Sequence, residues 1–243
     1  MELKKLTPAL LLYAVSVFSS CGSSDKPAKS GEAVQTVGSV KKTMWQGELG
    51  GIVDLDTISS KEHLYGLGPL ENLAGEIVIN DGKAYKATVL NDTGISVQET
   101  FKIKAPFFVY THVSKWQEQP LPDTIQSVSQ LDSYIDGLTK NIKRPFAFKI
   151  NAVVDSATIY IIDVPRGTPI HSPGDADQEH QYFKLQNQAS EIIGFFSNKG
   201  SSIFAQGETH LHMHLLTNDQ TKMGHVEEVS FKKGSAKLFL PAQ

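Results

Sequence analysis

The sequence predicts a β-rich α+β fold, with a mixed β-sheet packed on one main helix and an antiparallel, barrel-like half that carries a metal site. Three observations predict it. Most segments are short, β-branched or alternating, and are bounded by Gly, Pro or Asn-Asp pairs, which is how strands read. Only one long stretch has clear helical spacing of its apolar residues. Four of the eight histidines fall between His210 and His225.

The N-terminal segment comes first. Lys4 and Lys5 precede an apolar run from Leu6 to Phe18, then Ser19, Ser20 and Cys21. That order is expected of an export signal. The run falls well short of the roughly twenty residues that a spanning helix needs, so it is not expected to persist as a transmembrane anchor. Cys21 is the single cysteine, which excludes an intramolecular disulfide, and its place after two small residues is that of a lipidated cysteine. The expectation is therefore a lipoprotein signal over 1–20, a lipid on Cys21 that holds the chain to the membrane, and a location in the bacterial cell envelope, in the periplasm or at the cell surface. Residues 21–42 are rich in Gly, Ser and Lys and read as a flexible tether. The folded domain is expected over 43–243.

Within it, strands are expected near 43–49, 75–80, 83–90, 107–115, 146–154, 157–163, 191–197, 208–217, 224–231 and 236–240. Gly75-Glu76-Ile77-Val78-Ile79-Asn80, then Asp81-Gly82 and Lys83-Ala84-Tyr85, reads as a hairpin with a type I′ turn. Its alternation puts Glu76, Val78 and Asn80 on one face. From Asp123, apolar Ile125, Val128, Leu131, Ile135, Leu138 and Ile142 recur at three- and four-residue spacing after Pro122. That is the main helix, with its stripe against a sheet. A shorter helix is expected from Asp56 to about Glu62.

Charge excludes one class of partner. The net charge is -3 with no clustered basic stripe, so nucleic acid, which needs many phosphate-neutralising cations on one face, is not an expected partner. No P-loop or dinucleotide-binding glycine pattern is present either.

The histidines carry the chemistry. In Thr209-His210-Leu211-His212-Met213-His214, alternate side chains of a strand share a face, so the imidazoles point the same way. The polar Asn218-Asp219 turn lets the chain double back and bring His225 alongside. Three nitrogens from His212, His214 and His225 would hold a divalent metal and leave a coordination position for water or substrate, as catalytic zinc sites do. His63, His112, His171 and His180 stand apart in the sequence and read as incidental.

At this point the sequence resembles the alpha-acetolactate decarboxylase family. The likeness rests on His212-Met213-His214 with the later Gly224-His225-Val226, and on Tyr65-Gly66-Leu67-Gly68-Pro69 leading to Gly75-Glu76-Ile77 and Asp81-Gly82. Pro145-Phe146 and Ile192-Ile193-Gly194 add to it. The resemblance implies zinc on the three histidines and a catalytic role for Glu76 at the metal. It implies decarboxylation of a small 2-hydroxy-3-keto acid, acetolactate, to acetoin. The family carries an arginine downstream of the Pro-Phe segment. Ungapped alignment places Tyr160 there, and a two-residue insertion would give the role to Arg166. The family's C-terminal glutamate has no counterpart, because Glu227 and Glu228 come too early.

Two other readings stay open on the residues: a non-catalytic zinc- or copper-binding envelope lipoprotein, and a cupin-like enzyme built on a His-x-His strand. Exposed strand edges in so strand-rich a domain leave room for a homodimer.

Overall fold

A computed structural model describes Met1 and residues 33–91, 94–198 and 209–242 of the chain. The export signal, Cys21 and most of the tether lie outside the described residues. Among the described residues, fourteen strands and three short α-helices follow one another. The first half holds β1 (Gln35–Gly38), α1 (Val40–Gln46), β2 (Val53–Asp54), β3 (Leu64–Pro69), β4 (Glu76–Asn80), β5 (Lys83–Asn91), β6 (Gly94–Glu99), β7 (Lys104–Ala105), β8 (Phe107–His112) and β9 (Trp116–Pro120). The second half holds α2 (Val128–Leu138), β10 (Phe146–Ile162), α3 (Pro173–Asp177), β11 (His180–Phe196), β12 (Leu211–Thr217), β13 (Met223–Phe231) and β14 (Lys237–Pro241).

Two six-stranded sheets result, with orders β1-β8-β3-β4-β5-β6 and β11-β12-β13-β10-β14-β9, and β2 pairs with β7 apart from them. All ladders between the described strands are antiparallel. In the second sheet β11 also pairs with β10, so the pairings β10-β11-β12-β13 return to β10. The strand β10 organises this half. It pairs along its whole length with β11 on one side, and with β13 and then β14 on the other.

The sheets pack through one apolar core that joins Val78, Tyr85 and Val109 of the first to Phe148, Ile159, Phe195, Met213 and Val226 of the second. Alternation works as expected on β4. Val78 enters this core, whereas Ile77 and Ile79 enter a smaller cluster with Leu55, Leu64 and Phe108 behind the first sheet. Asn80, on the Val78 face, donates to the Glu191 carboxylate and ties the sheets together. Helix α2 buries Leu131 and Ile135 in the shared core, and Gln126 just before it bonds the backbone of Phe231 in both directions.

The elements depart from expectation at several places. A single 3-10 turn, Leu55–Thr57, stands where a helix is expected from Asp56 to about Glu62, and β11 begins at His180 and not near 191. Residues 35–38 and 40–46 form a strand and a helix, so the tether does not run to 42 and no strand covers 43–49. Ser39 caps this helix by accepting from Lys42 N, and Gly47 closes it at φ 66°. The segments 146–154 and 157–163 are one strand, β10, whose exposed Asp155 and Ser156 sit at a bulge opposite β13. The glycine-rich β3 is a strand because the Phe108 ring occupies the space where side chains of Gly66 and Gly68 would stand. The main helix is also shorter, 128–138.

Candidate metal centre and its cavity

Strand β12 is buried along its entire length, and it carries His212 and His214 toward the first sheet. His225 stands directly opposite His214 on β13. The Nε2 atoms of His212 and His214 are 3.3 Å apart. One nitrogen from each of the three histidines lies within 4.8 Å of the others. Two nitrogens bound to one tetrahedral ion at about 2.05 Å stand about 3.3 Å from each other. The donor set and its spacing therefore fit a divalent ion with imidazole ligands.

The geometry also fixes a tautomer. A carbonyl only accepts, so His214 donates from Nδ1 to the Ile77 carbonyl at 2.8 Å, and its Nε2 lone pair faces the centre. Such an outer hydrogen bond orients a ligating imidazole. His214 is fully buried and His212 is 7% exposed. Burial lowers all three basicities, to about 4 for His212 and well below the usual histidine value for His214 and His225. The rings are neutral at pH 7, the state a metal needs.

Glu76 comes from the other sheet. Its backbone follows Gly75, which has φ 148° and whose missing Cβ would lie 2.3 Å from the Ala87 carbonyl oxygen, so only glycine lets β4 begin there. A lone strand carboxylate would ordinarily face solvent, yet Glu76 is 4% exposed. One oxygen accepts from Ile162 N at 3.3 Å and the other is 3.5 Å from His214 Nε2. Burial pushes its carboxyl well above the usual range, against the smaller opposing effect of the Ile162 hydrogen bond.

These groups border a cavity of about 480 Å³ lined by Glu76, Tyr160, Asp177, His180, His212 and His225 among others. Among the described residues that line it there is no lysine or arginine. Arg166 does not reach it. It lies exposed in the turn closed by Thr168 N and the Pro165 carbonyl, so its expected catalytic role finds no support in its position.

His210, which shares the histidine run, is diverted. Its Nδ1 meets Asp132 of α2 at 2.8 Å and its ring stacks on Phe196, so it stays outside the cluster. His180, by contrast, is not incidental. It opens β11, lines the cavity, and stacks on Tyr160, which in turn stacks on His225. Burial lowers its basicity, partly countered by Asp177. No local signal marks it, since it sits 45 residues before His225 in the chain and joins the site only through the register of β10.

Fold and site together define a double-sheet, β-rich protein in which two buried imidazoles, one half-buried imidazole and one buried carboxyl can hold a metal ion at a cavity. The chain belongs to the alpha-acetolactate decarboxylase family, whose model matches residues 38–240. It is 25% identical over 175 residues to the alpha-acetolactate decarboxylase of Brevibacillus brevis, covering 71% of this chain and 58% of that protein. It is 24% identical to that of Lactococcus lactis over 179 residues, 71% of this chain and 70% of that one. The chain thus spans less than two thirds of the Brevibacillus relative. The acetolactate decarboxylase structure from Bacillus subtilis subspecies spizizenii superimposes with a TM-score of 0.68 at 15% identity, over 86% of both chains. A Staphylococcus aureus protein described as similar to alpha-acetolactate decarboxylase gives 0.66 at 18%, over 86% of this chain and 84% of that one. These two structures share the fold.

Proposed function

We propose that the chain is a metal-dependent carbon-carbon lyase that decarboxylates acetolactate, or a close 2-hydroxy-3-keto acid, to acetoin. The observation that carries this reading is the placement of Glu76 3.5 Å from Nε2 of His214 within the three-histidine cluster. His212, His214 and His225 would hold the ion, zinc by family resemblance. When bound, a divalent ion supplies Lewis-acid polarisation of the substrate's ketone oxygen.

The protein's own groups do the rest. The cavity would seat the hydroxy-ketone beside the three histidines with its carboxylate free to leave. As the carbon–carboxylate bond breaks, its electron pair is taken up toward the ketone and carbon dioxide departs. Glu76, whose carboxyl burial shifts toward the protonated form, would then deliver a proton to the carbon that lost the carboxylate, which gives acetoin. The carboxylate left on Glu76 recovers a proton from solvent for the next turnover.

Acetoin released from acetolactate by the zinc-loaded protein, and not by H212A, is the expected result. Zinc bound stoichiometrically with no acetoin formed would remove the enzymatic reading. It would favour a non-catalytic metal-binding role, to which one observation points: the described cavity lining offers an anionic substrate no lysine or arginine.

We also propose that the chain sits in the bacterial cell envelope, tethered through a lipid on Cys21, a reading that rests on the order of Lys4 and Lys5, the apolar run and Ser19-Ser20-Cys21. Incorporation of a labelled fatty acid that C21S abolishes would support this. Strands β1, β6 and β9 end their sheets, which supports a homodimer through edge pairing, and sedimentation of the purified domain tests it.

A further inference from the structure

The three imidazoles are not oriented in the same way. His214 is aimed by its hydrogen bond to Ile77. His225 is only half-buried, and among the described residues its ring meets other rings: Tyr160 at 4.4 Å, His212 at 4.8 Å and His214 at 5.3 Å. Ligating histidines are ordinarily held through their second nitrogen by an oxygen acceptor. For His225 the flat contact with Tyr160, 15° from parallel, stands in that place.

The backbone builds this contact. Tyr160 and His225 are direct partners across the β10–β13 ladder. Gly224 lets the strands close up there, since a Cβ on it would lie 2.7 Å from the Tyr160 carbonyl oxygen. On its other face Tyr160 is covered by His180 of β11, 3.9 Å away and 10° from parallel. Three rings from three adjacent strands thus form one stack that ends at a metal ligand.

We infer that Tyr160, backed by His180, is a positioning residue that holds the His225 imidazole plane and so keeps its nitrogen aimed at the ion. The inference rests on the reading of the histidine cluster as a metal centre. The chemistry suits the role: an aromatic face favours the electron-poor ring that a metal-bound imidazole becomes, and a phenol adds no charge beside the ion. The ring, rather than the hydroxyl, does the positioning.

The test compares zinc affinity by competition with a chromophoric chelator in the wild-type protein and in Y160F, Y160L and H180L, together with the visible absorption of the cobalt-substituted forms. Y160F keeps the stack and is expected to bind zinc within about threefold of wild type. Y160L is expected to bind about 10–100-fold more weakly, the size typical of losing a ligand's orienting partner, with an altered cobalt spectrum. H180L, which leaves Tyr160 in place but uncovers it, is expected to weaken binding by a smaller factor, and it carries the test if Y160L does not fold. Zinc affinity within twofold of wild type in both Y160L and H180L overturns the inference. So does a loss in Y160F equal to that in Y160L. The readout needs no acetoin, so it stands even if the decarboxylase reading falls. A wild-type protein that takes up no zinc would overturn the metal centre and the stack's role together.

Discussion

Nε2 of His212 and Nε2 of His214 face each other across 3.3 Å inside the protein, closer than two neutral imidazoles two residues apart on a strand need to be. Side chains two positions apart on a strand start about 6.5–7 Å from each other. Their convergence needs both rings to lean to a common point, and His225 leans to the same point from the next strand. This shared focus drives the first prediction. H212A and H214A should each lower zinc affinity at least about 100-fold, since two imidazoles alone make a poor zinc site. Equilibrium dialysis with metal analysis reads it directly.

Glu76 supplies the second. Its carboxyl in the metal-free fold sits well above its unfolded value because of burial. A raised carboxyl stabilises the fold fully below about pH 4.3 and loses that contribution as pH rises through the folded value. E76Q carries no such titration. The metal-free variant should therefore gain stability over wild type as pH rises toward neutrality, with the difference changing little below pH 4. Urea unfolding at pH 4 and pH 7.5 checks this, and acetoin production by the zinc-loaded variant should fall about 100-fold or more.

The buried histidines give the opposite pH response. The folded basicities of His212, His214 and His225 lie below their unfolded values, so the unfolded chain binds protons that the native one refuses. Metal-free protein should lose stability as pH falls from about 6.5 toward 4, where His212 itself begins to charge in the fold. Thermal unfolding across that range, with H212A flattening part of the slope, is the measurement.

Gly75→Ala should be costly. The added Cβ would lie 2.3 Å from the Ala87 carbonyl oxygen, at a backbone φ of 148° that alanine avoids. A loss of about 3 kcal/mol or more is expected, seen as a lower urea midpoint, and any folded fraction should have Glu76 displaced and acetoin formation reduced.

Arg166→Ala should do little. The side chain is exposed in its turn and away from the cavity. Zinc affinity and acetoin rate are expected within about twofold of wild type, as for most exposed surface substitutions. A large loss in rate with unchanged zinc affinity would return Arg166 to the active site.

Much of this site was legible in the chain. His212, His214 and His225 could be grouped because period-two alternation and a polar turn are local properties that survive any arrangement of the rest. The Gly75-Glu76 hairpin was legible for the same reason. The diversion of His210 was not, because it depends on Asp132 of α2, 78 residues away.

The sequence by itself determined a β-rich domain, a main helix within 123–142, and the strand and hairpin that present three imidazoles together. Only the tertiary structure decided that Glu76 is buried against those imidazoles, that Arg166 is left in solvent, and that Tyr160 and His180 stack behind His225. The reason is that periodicity specifies which face of a strand a side chain occupies. The register between β10, β11 and β13, and the packing of one sheet on the other, specify what that face meets, and both are fixed by burial of residues far apart in the chain.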